Sequence, residues 1–152
     1  MKPTPKGWPR LSAAVFYEDA PRAIDWLRRA FGFEVALRVD GEGGRVDHSQ
    51  LTIGNERDGL GLVMVASLRR NGGRPGDGLR VSAREVGGKV TTSLMLYVDD
   101  VDALAERAKA AGGTVAMPPT TTDYGAEYWA DRGCEVVDPE GHRWWIVQRV
   151  RG

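Results

Sequence analysis

The chain has 152 residues, enough for one domain with a substantial core. Its 21 basic residues balance 21 acidic ones, which excludes a global field that recruits nucleic acid or an anionic membrane. No apolar run reaches the roughly 20 residues of a bilayer span or follows Lys2 and Lys6 as a signal peptide, and the lone Cys134 excludes an intrachain disulfide, so a cytoplasmic protein is expected.

Residues 11–17 read as a first strand. Asp19 then caps a helix whose first turn suits Pro21, and Ile24, Leu27 and Phe31 supply its apolar stripe before Gly32 ends it. Residues 33–39 read as the second strand, and Asp40-Gly41-Glu42-Gly43-Gly44 as a hairpin turn. From Arg45 to Ile53 the chain alternates, with His48, Gln50 and Thr52 on one face and Ser49, Leu51 and Ile53 on the other. A fourth strand covers 60–66. Residues 68–89 hold six glycines, one proline and six basic residues, which reads as a mobile surface connection or as a lid that closes on ligand.

Past that connection, 90–98 reads as a strand, Asp100 caps a helix over 101–111, and Gly112-Gly113 stops it. A strand over 114–117 is expected to end at Pro118-Pro119, followed by an acidic, aromatic loop over 123–132 that carries Tyr124, Tyr128 and Trp129. Strands over 135–137 and 143–147 flank Asp138-Pro139-Glu140-Gly141, which fits a type I turn. His142, directly after it, reads as a partner of its own turn.

The second half retells the first. Asp19 and Gly32 lie 13 apart, Asp100 and Gly112 lie 12 apart, and each pair brackets a helix between strands. Such self-similarity means that each unit needs its twin to bury its apolar face. The expected fold is α+β: one domain over 1–152, with a βαβββ repeat over about 11–67, a linker over about 68–89 and a second repeat over about 90–149. A cavity is expected where the halves meet.

Three segments carry a resemblance: Glu18-Asp19-x-x-x-Ala23-Ile24-x-Trp26-Leu27-x-x-Ala30-Phe31-Gly32-Phe33, His48-x-Gln50-Leu51-x-x-Gly54, and Asp138-Pro139-x-Gly141-His142-x-Trp144. In these the chain resembles the vicinal oxygen chelate superfamily, which includes glyoxalase I, bleomycin-binding resistance proteins and extradiol dioxygenases. The resemblance implies a curved mixed sheet around a central cavity, with the helices on its outer face. It also implies a divalent metal held by four strand positions, two per repeat, through histidine, glutamate or glutamine. Laid onto this chain, those positions are Ser12, Met64 (Val63 if the register slips), Ser93 and Trp145. None is a usual ligand for a hard or borderline cation. The expectation is therefore no metal and no cofactor, as in the resistance-like branch, with a small aromatic or amphipathic organic molecule in the cavity.

Strand alternation anchored on those positions assigns the lining. Ser12, Ala14, Phe16, His48, Gln50, Thr52, Met64, Ala66, Ser93, Met95, Tyr97, Trp145 and Val147 should face inward, with Tyr124 and Trp129 as an added wall. Leu94, Leu96, Trp144 and Ile146 should face the helices. The expected ligand-binding residues are Ser12, Phe16, His48, Gln50, Met64, Ser93, Met95, Tyr97, Tyr124, Trp129 and Trp145. Trp145, Met64 and Met95 equally suit a filled core. No catalytic residue is expected, although in an enzyme His48 is the candidate base, because histidine exchanges protons near neutrality. Two alternatives to the binding reading stand: a lyase, isomerase or dioxygenase, and a non-binding dimeric scaffold. The resemblance also implies a homodimer, since the bleomycin-binding relatives share ligand clefts between subunits.

Overall fold

The computed structural model describes residues 2–69 and 76–152. Two compact units emerge, one holding the chain up to Ser82 apart from Arg29–Phe31, the other holding Ala83–Gly152 together with Arg29–Phe31. Among the described residues no helix is long and apolar enough to cross a membrane.

In the first unit, β1 (Ala13–Tyr17), β2 (Glu34–Asp40), β3 (Val46–Asn55) and β4 (Gly59–Ser67) form a mixed sheet in the order β1-β4-β3-β2. Only β1 and β4 run parallel. Helix α1 (Ala20–Phe31) begins where the Asp19 carboxylate accepts from the Arg22 amide, and it stops at Gly32, whose φ of 83° suits a residue without a Cβ. One sheet face is buried by Val15, Tyr17, Ser49, Leu51, Val63 and Val65. His48, Gln50 and Thr52 take the other face, as the alternation requires.

The second unit repeats this plan. Strands β5 (Leu94–Tyr97), β6 (Thr114–Asp123), β7 (Ala130–Val137) and β8 (Arg143–Arg151) lie in the order β5-β8-β7-β6, again with one parallel pair, β5 and β8. Even the irregularities recur, since β2 slips register between Val35 and Leu37 and β6 between Val115 and Met117. Through the pairs Leu37–Gln50–Met64 and Met117–Glu135–Trp145, Trp145 is the counterpart of Met64 and Glu135 the counterpart of Gln50. The duplicated βαβββ α+β fold is therefore present.

Helix α2 (Val101–Ala110), capped by Asp100 through the Ala103 amide, packs on β6, β7 and β8. Its Val101, Leu104, Ala105 and Ala108 are buried, as are Leu96, Cys134, Val136, Trp144 and Ile146 of the sheet. Arg132 of β7 grips Asp102 of α2 through two 2.6 Å hydrogen bonds. The last turn of α1 belongs to this unit as well, and Phe31 meets Trp144 edge-on with centroids 5.2 Å apart.

Several boundaries differ from the sequence-based expectation. Strand β6 continues through Pro118-Pro119 to Asp123, because it is an edge strand and its register shifts absorb residues that lack an N–H. Strand β7 starts at Ala130 rather than at 135, and β8 runs on to Arg151, so the aromatic loop shrinks to 124–129. Strand β5 begins only at Leu94, which leaves Ser93 exposed ahead of it. Of the expected connection over 68–89, residues 70–75 lie outside the described residues. Asp77, Ser82 and Ala83 beyond them are buried, so that part packs as structure.

Candidate functional site

The open face of the second sheet is built by alternation. Along β8, Trp144 and Ile146 point to the buried side, and Trp145, Val147 and Arg149 lie on the other. Directly paired residues share a face, so Trp145 brings Met95 and Glu135 with it, Val147 brings Tyr97 and Gly133, and Arg149 brings Asp131. There a cavity of about 520 Å³ opens. Its walls are Met95 and Tyr97 of β5, Met117, Thr120 and Thr122 of β6, Tyr124 and Trp129 of the loop, Asp131 and Gly133 of β7, and Trp145 and Val147 of β8.

Gly133 shapes the floor. In the first repeat the corresponding residue, two before Gln50, is His48, whereas Gly133 has no side chain. A Cβ there would meet the Ile146 carbonyl oxygen at 3.3 Å and the Trp145 indole at 3.4 Å. The indole therefore lies against the β7 backbone, so that a Cβ at this position would already be in contact with it and a larger side chain would crowd it. Met95 keeps 59% of its surface exposed and Tyr97 53%, so these side chains line the hollow and do not fill it.

Two arginines at the end of β8 tie the aromatic wall down. The Arg149 guanidinium sits 5.0 Å from the Trp129 ring centroid and 5.9 Å from that of Tyr97. Its Nε donates to Asp131 Oδ1 and its Nη2 to the Tyr97 hydroxyl at 3.1 Å. Hydrogen bonding to Asp131 raises Arg149 further above its ordinary value, so it remains cationic. Arg151 donates to Asp123 Oδ1 and to the carbonyls of Gly125 and Tyr128, anchoring both ends of the turn. Within the loop, the Trp129 ring lies 5.7 Å from Tyr124 and 6.0 Å from Tyr128.

Of the residues expected from sequence, Met95, Tyr97, Tyr124, Trp129 and Trp145 converge on this cavity. Phe16, His48, Gln50 and Met64 lie on the first sheet, on the face opposite its buried one. Gln50 pairs with Met64, its amide nitrogen lies 3.2 Å from His48 Nε2, and the Arg80 guanidinium covers Phe16 at 4.9 Å. Ser12 is half-buried just before β1, and Ser93 is exposed before β5. The turn reading of His142 matches its backbone, whose amide donates to Asp138 Oδ1 at 3.0 Å while its carbonyl accepts from the Asp138 amide. Met117, Thr120, Thr122, Asp131, Gly133 and Arg149 were missed. Extending β7 and β8 by a few alternating residues would have found the last three.

The donor set does not fit a divalent cation. Ser12, Met64, Ser93 and Trp145 offer no imidazole or carboxylate, and among the described residues no three His, Cys, Asp or Glu side chains converge. Cys134 lies on the buried face, where burial pushes its thiol up to about 11, so it supplies no thiolate at neutral pH. The cavity offers flat apolar surface, a few hydroxyls and the Asp131 carboxylate, with the Arg149 guanidinium beside the wall on Asp131, Tyr97 and Trp129. That is recognition chemistry.

Comparison with known proteins agrees with this architecture. The family model described as the Glyoxalase/Bleomycin resistance protein/Dioxygenase superfamily matches residues 11–146. An uncharacterized protein of Mycobacterium bovis, Mb0911c, is 34% identical over 143 residues, which cover 94% of this chain and 85% of that protein. The crystal structure of TioX from Micromonospora sp. ML1 superposes with a TM-score of 0.61 at 31% identity, over 91% of this chain and 98% of that one. A glyoxalase/bleomycin resistance protein/dioxygenase family enzyme from Burkholderia phytofirmans PsJN, 18% identical, shares the fold at a TM-score of 0.59 over 90% of this chain and 96% of its own.

Proposed function

The chain belongs to the Glyoxalase/Bleomycin resistance protein/Dioxygenase superfamily, and from that premise we propose that it is a metal-independent binding protein for a small aromatic or amphipathic molecule. Membership alone selects no activity, because one fold hosts many functions. The observation that carries the reading is the half-open cavity on the second sheet, walled by four aromatic side chains and two methionines. Flat rings of this kind gain from stacking beyond the area they bury, by about 0.5–1.5 kcal/mol per pair. The lack of a ligand set at the four positions used by metal-dependent relatives supports binding over catalysis.

A thermal-shift screen of aromatic compounds, run on protein treated with a chelator, tests this function. Binding to the folded state raises the melting temperature through RT ln(1 + [L]/Kd), a gain of about 2.7 kcal/mol at a hundredfold excess over Kd. Upward shifts that persist after chelation are expected. Shifts that vanish on chelation and return with a divalent metal would replace the reading with a metalloenzyme, and a blank screen would leave a scaffold.

A homodimer belongs to the same proposal. Tyr124 and Tyr128 stay more than half exposed and Trp129 keeps 40%, an aromatic cluster that is costly to leave in water. Sedimentation velocity is expected to give a dimer, and a 16.6 kDa species across a wide concentration range would refute it.

A further inference from the structure

We propose that the cavity on the second sheet selects planar aromatic acids, with Arg149 anchoring the acid group. This inference rests on the binding function proposed above and assigns its ligand class. Charge on the open face is asymmetric in what remains unused. The carboxylate of Asp131 accepts from Arg149, and that of Glu135 accepts from Arg143 Nη1 at 2.6 Å. Asp131 in the cavity wall and Glu135 beside Trp145 are thus engaged by the protein's own cations. Arg149 is different, because a guanidinium carries five N–H donors and the structure occupies one with Asp131 and one with the Tyr97 hydroxyl.

Arg149 stands at the edge of the cavity, beside its wall residues Tyr97, Trp129 and Asp131, and its side chain keeps 39% of its surface exposed. Its remaining donors lie in one plane, which suits the two oxygens of a carboxylate. Rings Trp129 and Tyr97 fix that plane from the side, and Asp131 fixes it from the strand. A cationic ligand meets the opposite situation. Two of the four aromatic rings in the wall, Tyr97 and Trp129, already hold a guanidinium, so a cation arriving there must displace it or sit beside it. For the ring of the ligand, the floor is the Trp145 indole against Gly133, with Met95 and Met117 among the apolar walls.

Isothermal titration calorimetry with three probes of one shape tests the assignment: 2-naphthoate, neutral 2-naphthamide and cationic 2-naphthylmethylammonium. Naphthoate is expected to bind about tenfold tighter than naphthamide, about 1.4 kcal/mol, with the ammonium weakest. In R149Q the ratio of the two affinities should fall to about one, and because the readout is a ratio, a general loss of affinity does not count. If R149Q does not fold, salt gives the second measurement on wild-type protein, where the naphthoate preference should shrink as ionic strength rises. An amide or ammonium that equals naphthoate, a preference that survives R149Q, or one indifferent to salt overturns the acid assignment and leaves the binding function standing. Failure of all three probes at millimolar concentration also overturns it, and a blank wider screen then overturns the binding function with it.

Discussion

Replacing Trp144 by alanine is expected to destabilise the second unit by about 3–5 kcal/mol, the usual range for large-to-small changes in a core. Trp144 is 2% exposed, meets Phe31 edge-on, and pairs with Leu94 and Val136 on the adjacent strands. Its indole N–H also donates to Asp138 Oδ2 at 3.3 Å, while Oδ1 accepts from the amides of Glu140 and His142. Truncation therefore opens a cavity and loosens the carboxylate that organises the β7–β8 turn. Trp144→Phe is intermediate, since it keeps one ring but removes the donor and part of the indole's volume, and should cost about 1–3 kcal/mol. Trp145→Ala, one residue along on the open face, should cost less than Trp144→Ala and weaken ligand binding instead. Urea unfolding of the three variants at equal m-value checks the order. If Trp145→Ala proved the more destabilising, the two faces of β8 would be exchanged, and with them every cavity residue named here.

Much of this fold was legible in the sequence, because helix caps and strand alternation are local signals. Asp19, Asp100 and Gly32 work where their residue types predict, and the contrast between buried Trp144 and half-buried Trp145 follows from period-two alternation. What the sequence concealed is non-local. Strand β8 continues past Val147 because β7 pairs with it as far as Ala130–Arg151, and no residue near Val147 announces that. Strand β6 continues through two prolines because it has a neighbour on one side only. The longer β7 and β8 carry Asp131, Gly133 and Arg149 onto the open face, and the longer β6 adds Thr120 and Thr122. The site was thus half visible: the aromatic walls were named, while the guanidinium and the glycine beneath the indole were not. Ser12 and Ser93 were placed by family register, and both precede the strands on which that register counts.

Gly133→Val should abolish the cavity without breaking the fold. Gly133 sits within β7, where a β-branched residue suits the backbone, so secondary structure is not the difficulty. Space is. The new Cβ would lie 3.3 Å from the Ile146 carbonyl oxygen, which the β7–β8 ladder holds in place, and 3.4 Å from the indole of Trp145, which can turn. Two further methyl groups make the indole the part that yields. It must leave the β7 backbone and swing into the space a ligand would use, at a cost of about 1–3 kcal/mol as for other overpacked sites. Aromatic ligands found in the thermal-shift screen should then bind at least about tenfold more weakly, about 1.4 kcal/mol. Near-ultraviolet circular dichroism should change through the tryptophan bands while the far-ultraviolet spectrum is retained. Trp145→Ala makes the complementary defect, removing the platform and enlarging the hollow, so a large ligand should tolerate it better than Gly133→Val. A folded Gly133→Val protein with wild-type affinity would show that the ligand sits elsewhere, and the open face of the second sheet would lose its claim as the binding site.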